Sequence, residues 1–324
     1  MKAVVVRRHG GPEVLELTEM PVPDPGSDQV RVSVRAIGLN RRDGFIRSGD
    51  YRRDLPLVPG IEASGVIDAL GERVEGWTVG DRVVWYVPDL LGAYAEYQIV
   101  PADRLVGLPD ALSFEDSAAI FDNGLTAHYL SATTFPVKPG HRILIHGAAG
   151  VVASLLVQCA KRVGATVYGT VSSPEKAIFI KSLGANAAIH YRDTDFVEKI
   201  MEFTEGEGVD VVYDSVGRAT VDGSIRCLKK RGMLVLYGQA GGAVTSIDPA
   251  ALAGQGSVYF TRPHLLDHID TPDELARRSA ELFDCYRKGE IGVKTDSVFP
   301  LSDVVEAHRR LEDRSRSGKI LMVP

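Results

Sequence analysis

The fold is decided by the stretch Arg142-Ile-Leu-Ile-His-Gly-Ala-Ala-Gly-Val-Val-Ala-Ser-Leu-Leu-Val-Gln-Cys-Ala-Lys161. It begins as a short apolar run, passes through a turn of small residues, and continues with apolar residues at helical spacing. This pattern predicts the strand, turn and helix that open a dinucleotide-binding unit. At the start of such a helix, unpaired backbone N–H groups and the positive end of the helix dipole favour a pyrophosphate.

The turn departs from the G-x-G-x-x-G/A fingerprint of such units. Ala148 stands at the first glycine position, Gly150 keeps the second, and Ala153 is the accepted alternative at the third. Small residues between a strand and a helix also serve close packing alone. The turn by itself therefore leaves a nucleotide site and a packing role open, and the rest of the chain must decide.

Composition narrows the functional classes. A chain of 324 residues suggests two domains, and its 44% hydrophobic and 25% charged residues are ordinary for a globular protein. The net charge of −6 disfavours nucleic acid as a partner. No apolar run approaches the ~20 residues that a membrane span needs, and the first apolar segment is too short for a signal peptide. The scattered Cys159, Cys227 and Cys285 favour the reducing cytoplasm over a disulfide framework.

The pattern of residue types, and with it the predicted secondary structure, changes along the chain. Residues 1–122 are rich in Gly and Pro between short β-type runs, which predicts a compact, barrel-like β domain. Ser113 with Asp116 predicts a helix start. Over residues 123–262 strands alternate with helices, which predicts a doubly wound parallel sheet. Residues 263–324 have no evident core of their own, so we expect them to complete the first domain.

The end of the second strand of that sheet points to the cofactor. An NAD site usually places Asp or Glu there, but this chain has Ser172 and Ser173, with Lys176 one helical turn on. A lysine against a 2′-phosphate is a strong, charge-assisted contact, so NADPH is favoured over NADH. Ser173 also fits a helix cap. Tyr191, after the third strand, suits packing against the adenine, contact with the same phosphate, or surface packing.

A metal site is not predicted. His264 and His268 are four residues apart, but Pro263 precedes them and no third ligand is near in sequence. There is no C-x₂-C run, which argues against a structural zinc.

The chain resembles the medium-chain dehydrogenase/reductases, specifically the zinc-independent quinone oxidoreductases, over essentially its whole length. The segments that carry the resemblance are Gly10-Gly-Pro-Glu-Val-Leu15, Gly38-Leu-Asn-x-x-Asp43, Pro59-Gly-Ile-Glu-Ala-Ser-Gly65, Gly124-Leu-Thr-Ala127, His146-Gly-Ala-Ala-Gly150, Val212-Tyr-Asp-Ser-Val-Gly217, Thr261-Arg-Pro263 and Leu311-Glu-x-Arg314…Gly318-Lys319. In the zinc-dependent branch a cysteine ligand stands where this chain has Asn40, and a histidine ligand where it has Ile61. The resemblance therefore implies an enzyme without zinc.

The resemblance also implies a fold and a set of site residues. The fold class is α/β plus β, with a GroES-like β-rich catalytic domain and an inserted Rossmann-type domain. The implied catalytic residues are Asn40, Asp43 and Tyr51. The implied cofactor-binding residues are Phe45, Thr126, Gly150, Val151, Val152, Ser172, Ser173, Lys176, Tyr191, Ser215, Gly238, Gln239, Ala240, Phe260, Thr261, Arg262 and Arg314. Asn40 and Asp43 also suit a turn, and Tyr51 also suits a core position.

One departure from the family bears on affinity. Relatives usually have Ala-Ala-Gly-Gly-Val-Gly in the turn, whereas this chain has Ala-Ala-Gly-Val151-Val-Ala153. A side chain at Val151 and a methyl at Ala153 suggest a strained or displaced turn. We expect a cost of ~1–3 kcal/mol, or about tenfold to a hundredfold in affinity for the cofactor.

The predicted function is reduction of quinones by hydride transfer from NADPH without zinc, in a cytoplasmic homodimer of the kind common among relatives. Quinones need little acid catalysis, so positioning would dominate the chemistry. One alternative is an NADPH-dependent enoyl or alkenal reductase. Another is a protein that binds NADPH with little turnover, as a sensor, a structural protein or a binder of RNA elements.

Overall fold

The computed structural model describes residues 1–313 and 315–324. The chain divides into two compact units, and each is described by itself. The first comprises Met1–Asp122, Thr271–Arg287 and Val293–Pro324, and the second comprises Asn123–Asp270 and Lys288–Gly292. The segment that the sequence places from residue 263 onward is thus shared between the two units.

The strands, in chain order, are β1 (Lys2–Val6), β2 (Leu15–Glu19), β3 (Gln29–Leu39), β4 (Glu62–Leu70), β5 (Arg82–Tyr86), β6 (Tyr97–Pro101), β7 (Leu105–Gly107), β8 (Arg142–Ile145), β9 (Thr166–Val171), β10 (Ala187–His190), β11 (Val209–Asp214), β12 (Leu228–Leu236), β13 (Tyr259–Thr261), β14 (Thr295–Pro300) and β15 (Lys319–Val323). The α-helices are α1 (Arg41–Ser48), α2 (Phe114–Tyr129), α3 (Val151–Arg162), α4 (Pro174–Ser182), α5 (Phe196–Phe203), α6 (Val221–Arg226), α7 (Pro249–Gly254), α8 (Pro272–Arg287) and α9 (Val304–Glu312).

The first unit is built on a sheet with the strand order β14-β15-β3-β4-β5-β7, and β6 pairs with β3 off this path. The long β3 buries alternate valines, Val30, Val32 and Val34, which is the period of a strand with one face in a core. Trp85 and Tyr94 are the largest side chains that this core encloses fully. The β-rich, GroES-like prediction for this unit is confirmed.

Sequence reasoning missed the helix α1 in this unit. Gly44 lies in its interior and lowers its propensity, so a run of eight residues looked like a turn. The helix forms because Asn40 is its N-cap and Asp43, three residues on, accepts a hydrogen bond from the Asn40 backbone N–H. The alternative in which Asn40 and Asp43 form a turn was therefore close to what the structure shows, since these two residues cap the first turn of α1.

The second unit is a six-stranded parallel sheet with the order β10-β9-β8-β11-β12-β13. Counted from β8, this is the order 3-2-1-4-5-6 of a dinucleotide-binding doubly wound sheet. The predicted parallel sheet is confirmed, as is the start of α2, where Ser113 Oγ accepts a hydrogen bond from Asp116 N at 2.9 Å. The strand order reverses between β8 and β11, and ligands of such sheets bind at that point, beyond the carboxyl ends of the strands.

Candidate functional site

The six parallel strands of the second unit end at one edge of the sheet. Ser215, Gly238 and Arg262 lie at the ends of β11, β12 and β13, on one side of the reversal point. Ser172 and Tyr191 follow β9 and β10 on the other side. The predicted cofactor contacts that lie at or just beyond this edge are Gly150, Val151, Val152, Ser172, Ser173, Lys176, Tyr191, Ser215, Gly238, Gln239, Ala240, Phe260, Thr261 and Arg262. Residues scattered over more than 100 positions in sequence thus share one edge.

The turn after β8 is a compact, hydrogen-bonded loop. Gly147 has φ +60°, a conformation that glycine adopts without steric cost. Its carbonyl accepts a hydrogen bond from Gly150 N at 2.8 Å. Gly150 is exposed and is the N-cap of α3, with no side chain to satisfy the first N–H groups of this twelve-residue helix. The backbone at Val151 and Val152 is accordingly suited to an anion.

The strain expected at Val151 is not found. Val151 is the first residue of α3, and the non-glycine residues with positive φ in the described chain are Leu91, Glu205, Arg231 and Ser257. Its side chain is partly buried, and the methyl of Ala153 is buried in the unit. The β-branched side chain is thus accommodated by an ordinary helix start. The lower cofactor affinity remains a prediction.

Close packing next to the turn depends on a glycine in the neighbouring strand. A Cβ atom added to Gly169 of β9 would lie 2.6 Å from the Cβ of Ala148 and 2.6 Å from Cδ1 of Ile180. Both distances are shorter than van der Waals contact allows. Gly169 therefore leaves the space that the methyl of Ala148 fills, at the position where the fingerprint has its first glycine.

The buried side chain of His146 forms hydrogen bonds with residues of neighbouring elements next to the reversal point. His146 Nδ1 is 3.1 Å from Thr170 Oγ1, and His146 Nε2 is 3.0 Å from Ser224 Oγ. Ser224 in turn donates to Asp214 Oδ2 at 2.8 Å. Since the Ser224 hydrogen points to Asp214, its oxygen accepts from His146 Nε2–H. Burial lowers the pKa of His146, which keeps the ring neutral and this arrangement fixed.

The same carboxylate folds the loop after β11. Asp214 Oδ1 accepts hydrogen bonds from Val216 N at 2.8 Å and from Gly217 N at 2.9 Å. Ser215 Oγ donates to the His146 carbonyl at 3.2 Å, which ties the ends of β8 and β11 together. The loop at the predicted Ser215 contact is thus fixed by its own side chains.

The end of β9 carries the residues predicted to select the phosphate. Ser173 is the N-cap of α4, and its Oγ accepts from Lys176 N at 3.3 Å, so the capping role does occur. Lys176 is partly buried in the first turn of α4. Tyr191 follows the adjacent strand and its side chain is largely exposed. Arg314, which the resemblance implies as a further cofactor contact, lies outside the described residues.

Two of the three predicted catalytic residues, Asn40 and Asp43, lie in a buried polar cluster of the first unit. Lys319 Nζ donates to Asn40 Oδ1 at 2.8 Å and to Glu62 Oε2 at 2.7 Å. Asn40 Nδ2 donates to the same Glu62 oxygen at 2.9 Å. Glu62 Oε1 accepts from Asp122 N at 2.6 Å, and Asp43 Oδ2 accepts from Asn40 N at 2.8 Å. Both ends of the Asn40 amide are therefore fixed.

The charges of this cluster are taken out of water. Lys319 and Glu62 are 1% and 0% exposed, so the ion pair is a fully desolvated one. Burial raises the pKa of Asp43 to about 7, against the opposing influence of Asn40 N–H and Lys319. Burial and the Glu62 carboxylate raise the pKa of Asp122 to about 7 as well. Burial thus moves the pKa of both carboxyl groups, Asp43 and Asp122, toward neutral pH.

The two aromatic residues predicted near Asn40 pack on each other. The ring centroids of Phe45 and Tyr51 are 5.2 Å apart, and the Arg42 guanidinium lies 5.9 Å from the Tyr51 ring centroid. Both aromatic side chains are partly buried. Thr126, predicted to reach the cofactor, is partly buried near the carboxyl end of α2, within the second unit.

The comparisons with known proteins bear on both units. A family model described as alcohol dehydrogenase GroES-like domain matches residues 26–110, and one described as zinc-binding dehydrogenase matches residues 151–270. Quinone oxidoreductase 1 of Escherichia coli is 42% identical over 320 residues, 98% of each chain. The structure of the Escherichia coli quinone oxidoreductase complexed with NADPH covers 100% of both chains, with a TM-score of 0.96 and 41% identity.

The chain belongs to the quinone oxidoreductase family. Another relative at similar distance is the 2-haloacrylate reductase of Burkholderia sp, which is 38% identical over 329 residues, 99% of this chain and 98% of the relative. Members of the quinone oxidoreductase family are therefore similar to this chain along its whole length, and not in the nucleotide unit alone.

Within residues 1–313 and 315–324, no group of three or more His, Cys, Asp or Glu side chains is arranged to hold a metal ion. Over the same residues, every helix is too short or too polar to span a bilayer.

Several residues that organise this member of the quinone oxidoreductase family were not singled out from the sequence as site residues. Glu62 begins the strand β4 and Lys319 begins β15, and a charged residue at the start of a largely apolar, buried strand is a signal of a buried pair. His146, at the end of an apolar strand, carries a similar signal. Asp122 carries none, because it lies in an ordinary helix.

Proposed function

We propose that this chain reduces quinones with NADPH as the hydride donor. The observation that carries the proposal is the edge of the dinucleotide-type sheet, where Ser172 and Ser173 follow the second strand and Lys176 lies in the first turn of the next helix. Serine hydroxyls and an ammonium group match a 2′-phosphate, which distinguishes NADPH from NADH. The similarity to a quinone oxidoreductase complexed with NADPH supports the same cofactor.

The residues present fit this cofactor. The pyrophosphate would lie against Gly150, Val151 and Val152, where an exposed, side-chain-free N-cap opens a helix of twelve residues. Lys176 and Tyr191 would hold the 2′-phosphate. When bound, NADPH supplies the hydride. The remaining predicted contacts at the strand ends would orient it through backbone and small side chains, which permit close approach.

In the first unit, we propose that Asn40 contacts the acceptor and that Asp43 acts through Asn40. Asn40 retains 8% exposure, whereas Asp43 is 0% exposed and accepts from the Asn40 backbone. Tyr51 and Phe45 would supply aromatic surface for a flat acceptor. The described cluster holds these groups rigidly, which suits a reaction that depends mainly on position.

The test is a titration with NADPH and NADH followed by a screen of acceptors. We expect NADPH to bind more tightly, and oxidation of NADPH to be fastest with 1,4-benzoquinone or a naphthoquinone. Failure of both nucleotides to bind below millimolar concentration would contradict the proposal. Binding of NADPH without turnover on any acceptor would favour the low-turnover alternative.

A second candidate substrate class is supported by one relative, the 2-haloacrylate reductase. Its name describes reduction of an activated carbon–carbon double bond. The same screen therefore includes 2-alkenals and 2-chloroacrylate at matched concentrations. A kcat/KM for one of these compounds above that of every quinone would assign the chain to the enoyl reductase class.

We further propose a cytoplasmic homodimer. The edge strand β13 pairs with β12 among the described residues, and its Tyr259 is 57% exposed, so unpaired backbone groups and an apolar side chain lie at one sheet edge. Cys159, Cys227 and Cys285 form no disulfide, as expected in a reducing compartment. Light scattering should give twice the chain mass, and Tyr259→Lys should shift it toward the monomer.

A further inference from the structure

A chain of buried polar side chains runs beneath α1 in the first unit. His308, on α9, is 0% exposed. Its Nδ1 lies 3.1 Å from Nη1 of Arg47, on α1, and its Nε2 lies 3.0 Å from the hydroxyl of Tyr94, in the connection between β5 and β6. The surface end of the chain is Glu312, which pairs with Arg47. Neither the sequence patterns nor the proposed reaction uses these residues.

The direction of these hydrogen bonds is fixed by Arg47. A guanidinium group only donates, so His308 Nδ1 must accept. Burial and the Arg47 charge lower the pKa of His308 to about 3, so the ring is neutral and carries its single N–H on Nε2. That N–H donates to the Tyr94 oxygen. The hydroxyl hydrogen of Tyr94 must therefore point away from His308.

The group that remains for this hydrogen is the carboxyl of Asp43. Within residues 1–313 and 315–324, Asp43 Oδ1 has no partner at good hydrogen-bond geometry, although the Tyr94 hydroxyl is close enough to interact with this carboxyl and lower its pKa. Asp43 Oδ2 already accepts from Asn40 N. The charged or titratable groups that interact with Asp43 from neighbouring elements include Lys319 on β15, Glu62 on β4 and Asp122 on α2, and burial raises the pKa of Asp122 to about 7 as well.

We propose that Arg47 and His308 are positioning residues that orient the Tyr94 hydroxyl toward Asp43, and so favour the ionised form of Asp43, whose carboxylate accepts from the Asn40 backbone N–H. A donated hydrogen bond stabilises a carboxylate over the protonated acid. It opposes the burial that otherwise favours protonation at this site. Because Arg47 can only donate, it sets the donor and acceptor roles of His308 and then of Tyr94. The Tyr94 hydroxyl is thereby left to donate to Asp43.

The direct test is a pH titration of Asp43, monitored by ¹³C NMR on protein that is labelled in its aspartate carboxyl groups. Asp43→Asn identifies the resonance and separates it from that of Asp122. Tyr94→Phe should raise the Asp43 midpoint by about one pH unit, because a hydrogen bond to a charged group is lost. Tyr168→Phe removes a tyrosine hydroxyl from the second unit, where it contacts the Phe203 carbonyl, and should leave the midpoint unchanged.

Two substitutions of His308 test the direction of the chain. The side-chain amide of His308→Gln can accept from Arg47 and donate to Tyr94, so its midpoint should stay close to that of the wild type. His308→Leu can do neither and should behave like Tyr94→Phe. If His308→Leu does not fold, Tyr94→Phe and His308→Gln still decide the question. Equal midpoints in Tyr94→Phe and Tyr168→Phe would overturn the proposal.

The proposed effect of Asp43 ionisation on Asn40 rests on the proposed function, and it is tested by a separate measurement, the pH dependence of kcat/KM. The acid limb of kcat/KM against pH for NADPH-dependent quinone reduction should move upward in Tyr94→Phe by the same amount as the Asp43 midpoint, and should return in His308→Gln. A moved midpoint with an unmoved acid limb would refute the link to Asn40. The NMR titration needs no turnover, so failure of the proposed reaction would not be confused with failure of this inference.

Discussion

The buried ion pair between Lys319 and Glu62 should add little net stability while it is intact. Removal of only one of its two charges should destabilise the protein strongly. Lys319→Met keeps the length of the side chain and deletes the ammonium group. It leaves the Glu62 carboxylate, which is 0% exposed, with the Asn40 Nδ2 and Asp122 N donors. An uncompensated buried charge of this kind costs about 3–5 kcal/mol, which is a large part of the stability of an ordinary domain.

The assay is equilibrium unfolding in urea at pH 7 on a double-mutant cycle. The members are the wild type, Lys319→Met, Glu62→Gln and the double variant, and the double variant should recover most of the loss because no charge remains buried. Lys199→Met provides the matched control. Its ion pair with Glu202 spans a similar 2.6 Å, but the two side chains are 40% and 61% exposed. An exposed pair should contribute about 1 kcal/mol or less.

Two results would refute this reasoning. The first is a loss in Lys319→Met no larger than that in Lys199→Met, which would mean that Glu62 is effectively solvated. The second is a double variant as unstable as the sum of the single variants, which would mean that the two charges do not interact across the measured 2.7 Å.

Three further predictions concern other parts of the molecule. Lys176→Ala should weaken NADPH binding about tenfold or more and leave NADH binding unchanged, whereas Lys181→Ala, on the exposed side of the same helix, should alter neither in a calorimetric titration. Gly147→Ala should destabilise the protein by about 1–2 kcal/mol in thermal unfolding, because its φ is +60°; an unchanged Tm would contradict the observed turn. Burial raises the pKa of Asp43 from 3.8 to about 7, so the native state keeps this proton while the unfolded chain releases it. Compared with Asp43→Asn, the wild type should therefore lose up to about 4 kcal/mol of stability as the pH rises from about 4 to 7, and parallel stability curves would exclude that titration.

The general architecture could be predicted from the sequence because its signals are local and repetitive. Alternating strands and helices require a parallel sheet, and a parallel sheet brings all strand ends to one edge. Ser172, Tyr191 and Ser215 could therefore be assigned to a common site before any coordinate was known. The helix α1 could not be predicted in this way, because Gly44 lowers the helix propensity of the segment. The stability of this helix depends on the Asn40 cap and the buried Asp43.

The polar clusters were missed for a different physical reason. Lys319 and Glu62 are 257 residues apart, and Arg47 and His308 are 261 apart. Their partnership follows from which strands and helices pack together, and no periodicity in one segment specifies this. A charged residue within an apolar strand shows that a partner is needed, but the sequence does not show which residue it is. The strain expected at Val151 was wrong because Val151 is the first residue of α3 and is not among the residues with positive φ.

The shared space between Ala148 and Gly169 has a consequence for evolution in this family. A Cβ at Gly169 would fall 2.6 Å from that of Ala148 and 2.6 Å from Cδ1 of Ile180, so a methyl group at position 169 needs glycine at 148 and a smaller or shifted side chain at 180. The glycine requirement of the fingerprint is then shared among positions on different segments of the chain. Homologous sequences with alanine at position 169 should have glycine at 148 and a smaller side chain at 180, so these positions should covary. The loss of the first motif glycine in this chain is thus matched by Gly169 and is no sign of a decaying site.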